Sequence, residues 1–343
     1  MELFSSMPLA LNIVAFALLA SCIWIAGTRL SHLAGAIGDH LGLGQAIMGL
    51  VFLGGITELP ELVTTGTAAW KGNAPLALNN MLGGIPMQTA ILVIADMVAI
   101  RVVLTSMPRK WTPVLEGVLL AVLLGAMLIL VNVGEVTLLN GLGLGAVVLA
   151  GTYLLFVYGL HRYEKANHEL SADANDLSTS DLHDGTKGIR QLLLHSAGAA
   201  LVILVCGMLL VEVCETIAVQ SSLGNSFVGV TLLATTTSLP ELSTTIAAVR
   251  MGAFTMAISN IFGSNLLMVF ILLPADLLYR EGALLAQADD TSKMALVSGI
   301  VVTLVYVLGL LRREKPRVFG IGLDSAAVMI LYLGSLYAFY VLR

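Results

Sequence analysis

Apolar residues run along this chain in blocks of about 20 or more, the length a helix needs to cross roughly 30 Å of hydrocarbon. Ten such blocks can be marked, near residues 8–27, 43–70, 74–100, 112–132, 138–160, 191–219, 223–250, 252–279, 294–311 and 319–341. Clusters of Lys and Arg, acids or Gly/Asn breaks separate most of them, and 161–190 is the only long polar segment. The pattern predicts an all-α polytopic membrane protein with ten transmembrane helices. Residues 1–160 form one half, 161–190 a linker and 191–343 the other half. The start, Met1–Pro8, carries Glu2 and no basic residue, unlike the positive start of a cleaved leader, so the first block is expected to be a retained helix.

Composition agrees. Over 343 residues, 57% are hydrophobic, only 11% are Asp, Glu, Lys or Arg, and the mean hydropathy is +0.93. Soluble domains carry about 25% charged residues, so the chain lacks the charge a water-facing surface needs. Seventeen spread bases against 22 acids cannot build a phosphate-neutralising stripe, which argues against nucleic-acid partners. Cys22, Cys206 and Cys214 lie inside apolar runs and read as small packing residues rather than a disulfide framework.

The basic residues also predict an orientation, because Lys and Arg are retained on the cytoplasmic side. With the N-terminus outside, the inner loops hold 13 of the 17: Arg29, then Arg101, Arg109 and Lys110, then Arg162, Lys165, Lys187 and Arg190, then Arg250, then Arg312, Arg313, Lys315 and Arg317. Only Lys71, Arg280, Lys293 and Arg343 fall outside. Both termini are therefore expected outside, with the 161–190 loop cytoplasmic, in an inner or plasma membrane.

The chain repeats itself. Residues 54–85 laid over 234–265, an ungapped offset of 180, agree at 12 of 32 positions: Thr57, Leu59, Pro60, Glu61, Leu62, Thr64, Thr65, Ala68, Gly72, Ala77, Asn80 and Gly83, each with its partner. Shared apolar bias would match Leu, Ala and Val, whereas these matches include Pro, Glu, Asn, Thr and Gly. Five blocks precede the linker and five follow it, and an odd number of crossings per copy makes the two copies inverted. Such repeats place a substrate site at their interface near the bilayer centre.

Glu61 and Glu241 lie about 18 residues into their blocks, and a carboxylate at that depth costs several kcal/mol unless it faces a cavity, a cation or a proton. Pro60 and Pro240 precede them. Each removes a backbone donor, so the helices are expected to break around Thr57 and Thr237 and free carbonyl oxygens. With the hydroxyls of Thr57, Thr237 and Ser238, the set is one of hard oxygens, suited to Ca²⁺, Na⁺ or Mg²⁺. A kinked and capped helix is the bland alternative, but two symmetry-related acids at mid-membrane would then be costly and serve nothing. Gly83 and Gly263 permit close helix approach, and Asn80 and Asn260 either lend amide oxygens or brace the broken helix. Asp96 and Asp276, near block ends, read as interfacial caps. His161, His168 and His183 sit among the charges of the 161–190 segment and read as part of a solvated linker.

These residues resemble the calcium/cation antiporters that include the sodium/calcium exchangers, whose two repeats carry GTSxPEL followed by GNxxGSN. The second copy here reads TTSLPEL and SNIFGSN, and the first ITELPEL and NNMLGGI. The resemblance implies two inverted five-helix repeats, a gating bundle from the first and sixth segments, and alternating access around a central cation site. Carried over by position, it makes Glu61 and Glu241 the calcium-ligating carboxylates, with oxygens from Thr57 and Thr237 and sodium-type hydroxyls from Ser238 and Ser264. The chain departs from the pattern at several positions. Glu58 replaces the first-copy Ser, either ligating or paired with a donor, Gly84 and Ile85 replace a Ser and an Asn, and Gln88 and Met268 stand where the family has Asn or Asp. Fewer sodium-type ligands and one more acid fit proton exchange at least as well as sodium exchange, since close carboxylates share protons.

The expected function is thus a secondary active antiporter moving Ca²⁺ or a similar cation against Na⁺ or H⁺. The expectation includes no cofactor, inorganic cations and the lipid bilayer as partners, and no obligate protein partner. A passive cation channel and a non-transporting cation sensor are the alternatives. No HExxH, nucleophile elbow or phosphate-binding loop supports an enzyme.

Overall fold

The computed structural model describes residues 2–98, 103–108, 110–138, 141–168, 188–220, 238–312, 317–318 and 321–341. These are almost wholly helical: α1 Leu9–Leu41, α2 Gln45–Thr57, α3 Leu59–Trp70, α4 Ala74–Val98, α5 Thr112–Val133, α6 Leu144–His168, α7 Ile189–Gln220, α8 Leu239–Arg250, α9 Phe254–Leu278, α10 Asp290–Leu311 and α11 Leu323–Val341. Among the described residues seven helices are long and apolar enough to cross a membrane. The α2–α3 pair, bent by 50°, brings the number to eight when it is taken as one broken span.

Several boundaries differ from the apolar blocks. α1 runs on to Leu41 instead of ending near 27, because a helix passes through Arg29 and His32 wherever those side chains leave the hydrocarbon. α6 starts at Leu144 rather than 138, just after Gly143, which forms an antiparallel bridge with Thr137. The last helix starts at Leu323 instead of 319, following the antiparallel pair of β1 Arg317–Val318 and β2 Ile321–Gly322. Cys22 is exposed on α1 and faces the half-buried Cys206 of α7, so the two thiols meet where these helices pack, at the edge of the bundle rather than in its core.

The 180-residue repeat reappears in the backbone. α3 and α8, and α4 and α9, begin and end at positions 180 apart, and so do the starts of the 3₁₀ turns at Leu104 and Leu284. The linkers after α3 and α8 turn on Gly72 (φ 74°) and Gly252 (φ 76°), a left-handed conformation that glycine adopts without a Cβ penalty. Asp96 accepts the Leu104 N–H at 2.6 Å and the Gly322 N–H at 2.9 Å. Asp276 accepts the Leu284 N–H at 2.5 Å and the Gly143 N–H at 2.6 Å. Both aspartates therefore cap loop amides, as expected.

α4 and α9 run through the core, which includes an edge-to-face pair of Phe262 with Tyr306 at 5.7 Å. α1 and α7 pack against each other, and each covers the proline-bearing helix of the opposite half. Gly27 lets α1 meet Ser243 of α8, and the Ser31 hydroxyl donates to the Thr244 carbonyl at 2.8 Å. Gly207 lets α7 meet Pro60 of α3.

Candidate cation site

The site forms where α2 stops. Residues Met48–Leu53 are wound as a π-helix, and the chain bends at Glu58, between Thr57 and Leu59. Pro60 has no N–H to carry the helical ladder across this point, so the predicted break occurs, one residue past Thr57. Pro240 occupies the same place at the start of α8, while Thr237 lies outside the described residues.

Glu58, Glu61 and Glu241 converge there. They are 1%, 2% and 0% exposed, and an oxygen from each lies within 4.8 Å of the others. Glu58 Oε1 accepts from Gln88 Nε2 at 2.6 Å, and the same carboxyl lies against Glu241 and Ser264. The Thr57 hydroxyl donates to the Leu53 or Gly54 carbonyl (3.1 and 3.3 Å) and sits 3.4 Å from Ser264 Oγ. Ser238 is buried at the residue before α8. The Thr57 hydroxyl lies against Glu241, yet the other oxygen of Glu58, both oxygens of Glu241 and Gln88 Oε1 meet no donor in full hydrogen-bond geometry among the described residues. Buried oxygens without donors are costly and suit a cation or a proton. Oxygens alone suit a hard one.

Asn80 and Asn260 brace the site. The Asn260 amide donates to Thr244 and Thr245 hydroxyls at 2.9 Å each, and Asn80 donates to Thr64 and Thr65 at 3.2 and 3.0 Å. Thr244 and Thr64 in turn bond the Pro240 and Pro60 carbonyls, so the asparagines fix the turns that carry Glu241 and Glu61. Gly263 makes the expected close approach, since a Cβ there would strike the Leu50 backbone. A Cβ on Gly83 would meet nothing within 4 Å among the described residues, and Val230, the repeat counterpart of Leu50, lies outside them.

Two buried acids escaped the sequence reading, Glu116 and Glu164, the latter 8% exposed near the end of α6 where a solvated linker was expected. Glu116, in the second turn of α5, is 0% exposed and accepts the Ser259 hydroxyl with both oxygens (2.9 and 2.7 Å). As a lone acid near a block end with no repeat partner, it gave no signal beyond its position inside an apolar run.

A multi-pass helical bundle with three acids gathered in its interior defines a membrane protein that handles cations. The chain belongs to the sodium/calcium exchanger protein family, which it matches over residues 11–160 and 192–342. It is an ion antiporter and not an enzyme. It is similar to the inner membrane protein YrbG of Escherichia coli strain K12, at 29% identity over 313 residues, spanning 90% of this chain and 91% of that one. It is also similar to the putative antiporter CaxA of Alkalimonas amylolytica, at 27% identity over 314 residues, spanning 91% and 94%. Its fold is like that of the sodium-calcium exchanger NCX_Mj soaked with Na⁺ and no Ca²⁺, with a TM-score of 0.70 at 17% identity over 96% of this chain and 99% of that one. The same exchanger soaked with neither ion gives 0.67 at 18% identity, over 95% and 98%.

Proposed function

We propose that this antiporter exchanges Ca²⁺, or a similar hard cation, for Na⁺ or H⁺ by alternating access, with the cation bound between Glu58, Glu61 and Glu241. The observation that carries this reading is the convergence of three buried carboxylates within 4.8 Å. Thr57, Thr237, Ser238 and Ser264 add hydroxyl or carbonyl oxygens, Gln88 orients Glu58, and Asn80 and Asn260 hold the broken helices.

Electrostatics supplies the coupling. Two carboxylates 4.8 Å apart repel by about 3.5 kcal/mol at an effective dielectric constant of ~20. Three such pairs amount to roughly 10 kcal/mol, far above thermal energy, so an empty, fully ionised site resists being closed off from water. A bound cation or protons remove that repulsion and permit occlusion, which makes passage in one direction depend on return in the other.

In this reading the chain forms ten transmembrane helices as two inverted five-helix repeats, 1–160 and 191–343, joined by the cytoplasmic 161–190 loop, with both termini outside the inner or plasma membrane. The matching bounds of α3 with α8 and α4 with α9, and the paired Asp96 and Asp276 caps, support it. The cross-packing of α1 on α8 and α7 on α3 gives the gating bundle a direct hold on both motif helices. Loading reconstituted vesicles with ⁴⁵Ca²⁺ under a pH gradient alone and a sodium gradient alone tests the exchange. Uptake driven by either gradient supports it, and equal uptake with no counter-gradient would instead indicate a channel.

A further inference from the structure

The two copies of the motif are not equally polar where they meet. At an offset of 180, Glu58 pairs with Ser238, Gln88 with Met268, Thr89 with Val269, Gly84 with Ser264 and Ile85 with Asn265. The polar members fall together. Glu58 takes the Gln88 amide at 2.6 Å, Asn265 Nδ2 donates to Thr89 Oγ1 at 3.2 Å, and Ser264 Oγ stands 3.4 Å from Thr57 Oγ1. Asn265 Oδ1, Gln88 Oε1 and one oxygen of Glu58, all buried, have no donor there among the described residues. The apolar members also meet. Met268, 1% exposed, turns its terminal methyl toward Gly84, close enough that a Cβ on Gly84 would lie 3.0 Å from it.

A duplicated site built twice alike would offer a polar lobe on each side of the carboxylates. Here α4 and α9 supply Gln88, Thr89, Ser264 and Asn265 on one side; their counterparts in the repeat, Gly84, Ile85, Met268 and Val269, carry no polar side chain, which leaves the Ser238 hydroxyl as the polar counterpart of Glu58 in the second lobe. We infer that Met268, seated on Gly84, plugs the second lobe, so that the site holds one metal ion at a time, displaced toward Glu58, Gln88 and Ser264, and that a competing metal ion enters the same place rather than sitting beside it. A thioether and a methyl are poor ligands for a hard cation, and a buried position lined by them cannot replace a hydration shell. This inference rests on the carboxylate trio being the cation site, and it deepens that reading by fixing how many metal ions the site takes.

Equilibrium binding of ⁴⁵Ca²⁺ to the detergent-purified full chain, titrated with Na⁺, tests it. Met268→Gln restores the first-copy residue at nearly unchanged volume, and Met268→Ser opens the same lobe should the longer amide misfold. With one shared place the wild type gives either no displacement by Na⁺ or a Hill slope of about 1. Opening the lobe steepens the slope toward about 2, or produces displacement at Na⁺ at least roughly 3-fold below the wild-type requirement. Met268→Leu keeps the apolar wall and the wild-type slope. A wild-type slope of about 2 or more, or displacement unchanged in both opened variants, overturns the plug while leaving the cation site standing. Loss of the cation site itself reads differently, as the absence of any saturable ⁴⁵Ca²⁺ binding that Glu61→Gln removes, and it takes this inference with it.

Discussion

Asn260→Leu separates bracing from ligation. The side chain is 0% exposed and donates two 2.9 Å hydrogen bonds to Thr244 and Thr245, which are also fully buried. A net hydrogen bond contributes about 1 kcal/mol, and leaving buried acceptors short of a donor costs about 1–3 kcal/mol more, so the substitution should destabilise by roughly 2–4 kcal/mol. For a chain of this size that lowers the apparent Tm by roughly 3–6 °C. The assay is thermal unfolding of purified protein in chelator, so that no bound cation contributes. Asn80→Leu should cost about half as much, because Asn80 and Thr64 are only part-buried and the bonds are longer, at 3.2 and 3.0 Å. An unchanged cation-free Tm together with lost ⁴⁵Ca²⁺ binding would refute the bracing role and make Asn260 a ligand.

Gly263→Ala should lower the apparent Tm and weaken calcium binding, since the new Cβ meets the Leu50 backbone, which cannot rotate aside, and overpacking of this kind costs about 1–3 kcal/mol. Gly125→Ala, with nothing within 4 Å, should be neutral or slightly stabilising in the same assay. Asp289→Ala removes the N-cap of α10, whose carboxylate accepts the Ser292 N–H at 2.7 Å, and should cost about 1 kcal/mol in thermal unfolding. Partial burial pushes the Asp289 carboxyl up, but bonds from the Ser292 N–H and hydroxyl and from Asn79 outweigh it and hold the group below its ordinary value. Its contribution is therefore complete above the ordinary aspartate range and lost as pH falls through the folded value, so wild-type and Asp289→Ala unfolding curves should converge in strong acid.

What could be read from the residues alone followed from chemistry that is local or repeated. The Leu-Pro-Glu turns placed Glu61 and Glu241 in the interior and broke α2 from α3 because proline acts on its own backbone, whatever surrounds it. The offset of 180 foretold matching helices because each copy must satisfy the same backbone groups. The π-helix at Met48–Leu53 was invisible, since one apolar run fits 3.6 or more residues per turn equally well. Glu58 could be read as ligand or paired acid, and the fold shows the pairing, with the carboxyl bonded to Gln88 and turned toward Glu241. The Met268–Gly84 contact joins residues 184 apart and needed three dimensions. Thr237 and residues 223–237 of the seventh apolar block lie outside the described residues.

The central claim is that this trio, rather than burial of acids in general, is where the transported cation is bound. Calcium flux into proteoliposomes under a coupling gradient, compared for wild type, Glu61→Gln, Glu241→Gln and Glu116→Gln, tests it most directly. Either change at the trio should abolish gradient-driven flux, whereas Glu116→Gln, which keeps an oxygen for the Ser259 hydroxyl, should transport within a few-fold of wild type. Wild-type flux in Glu61→Gln or Glu241→Gln would contradict the account.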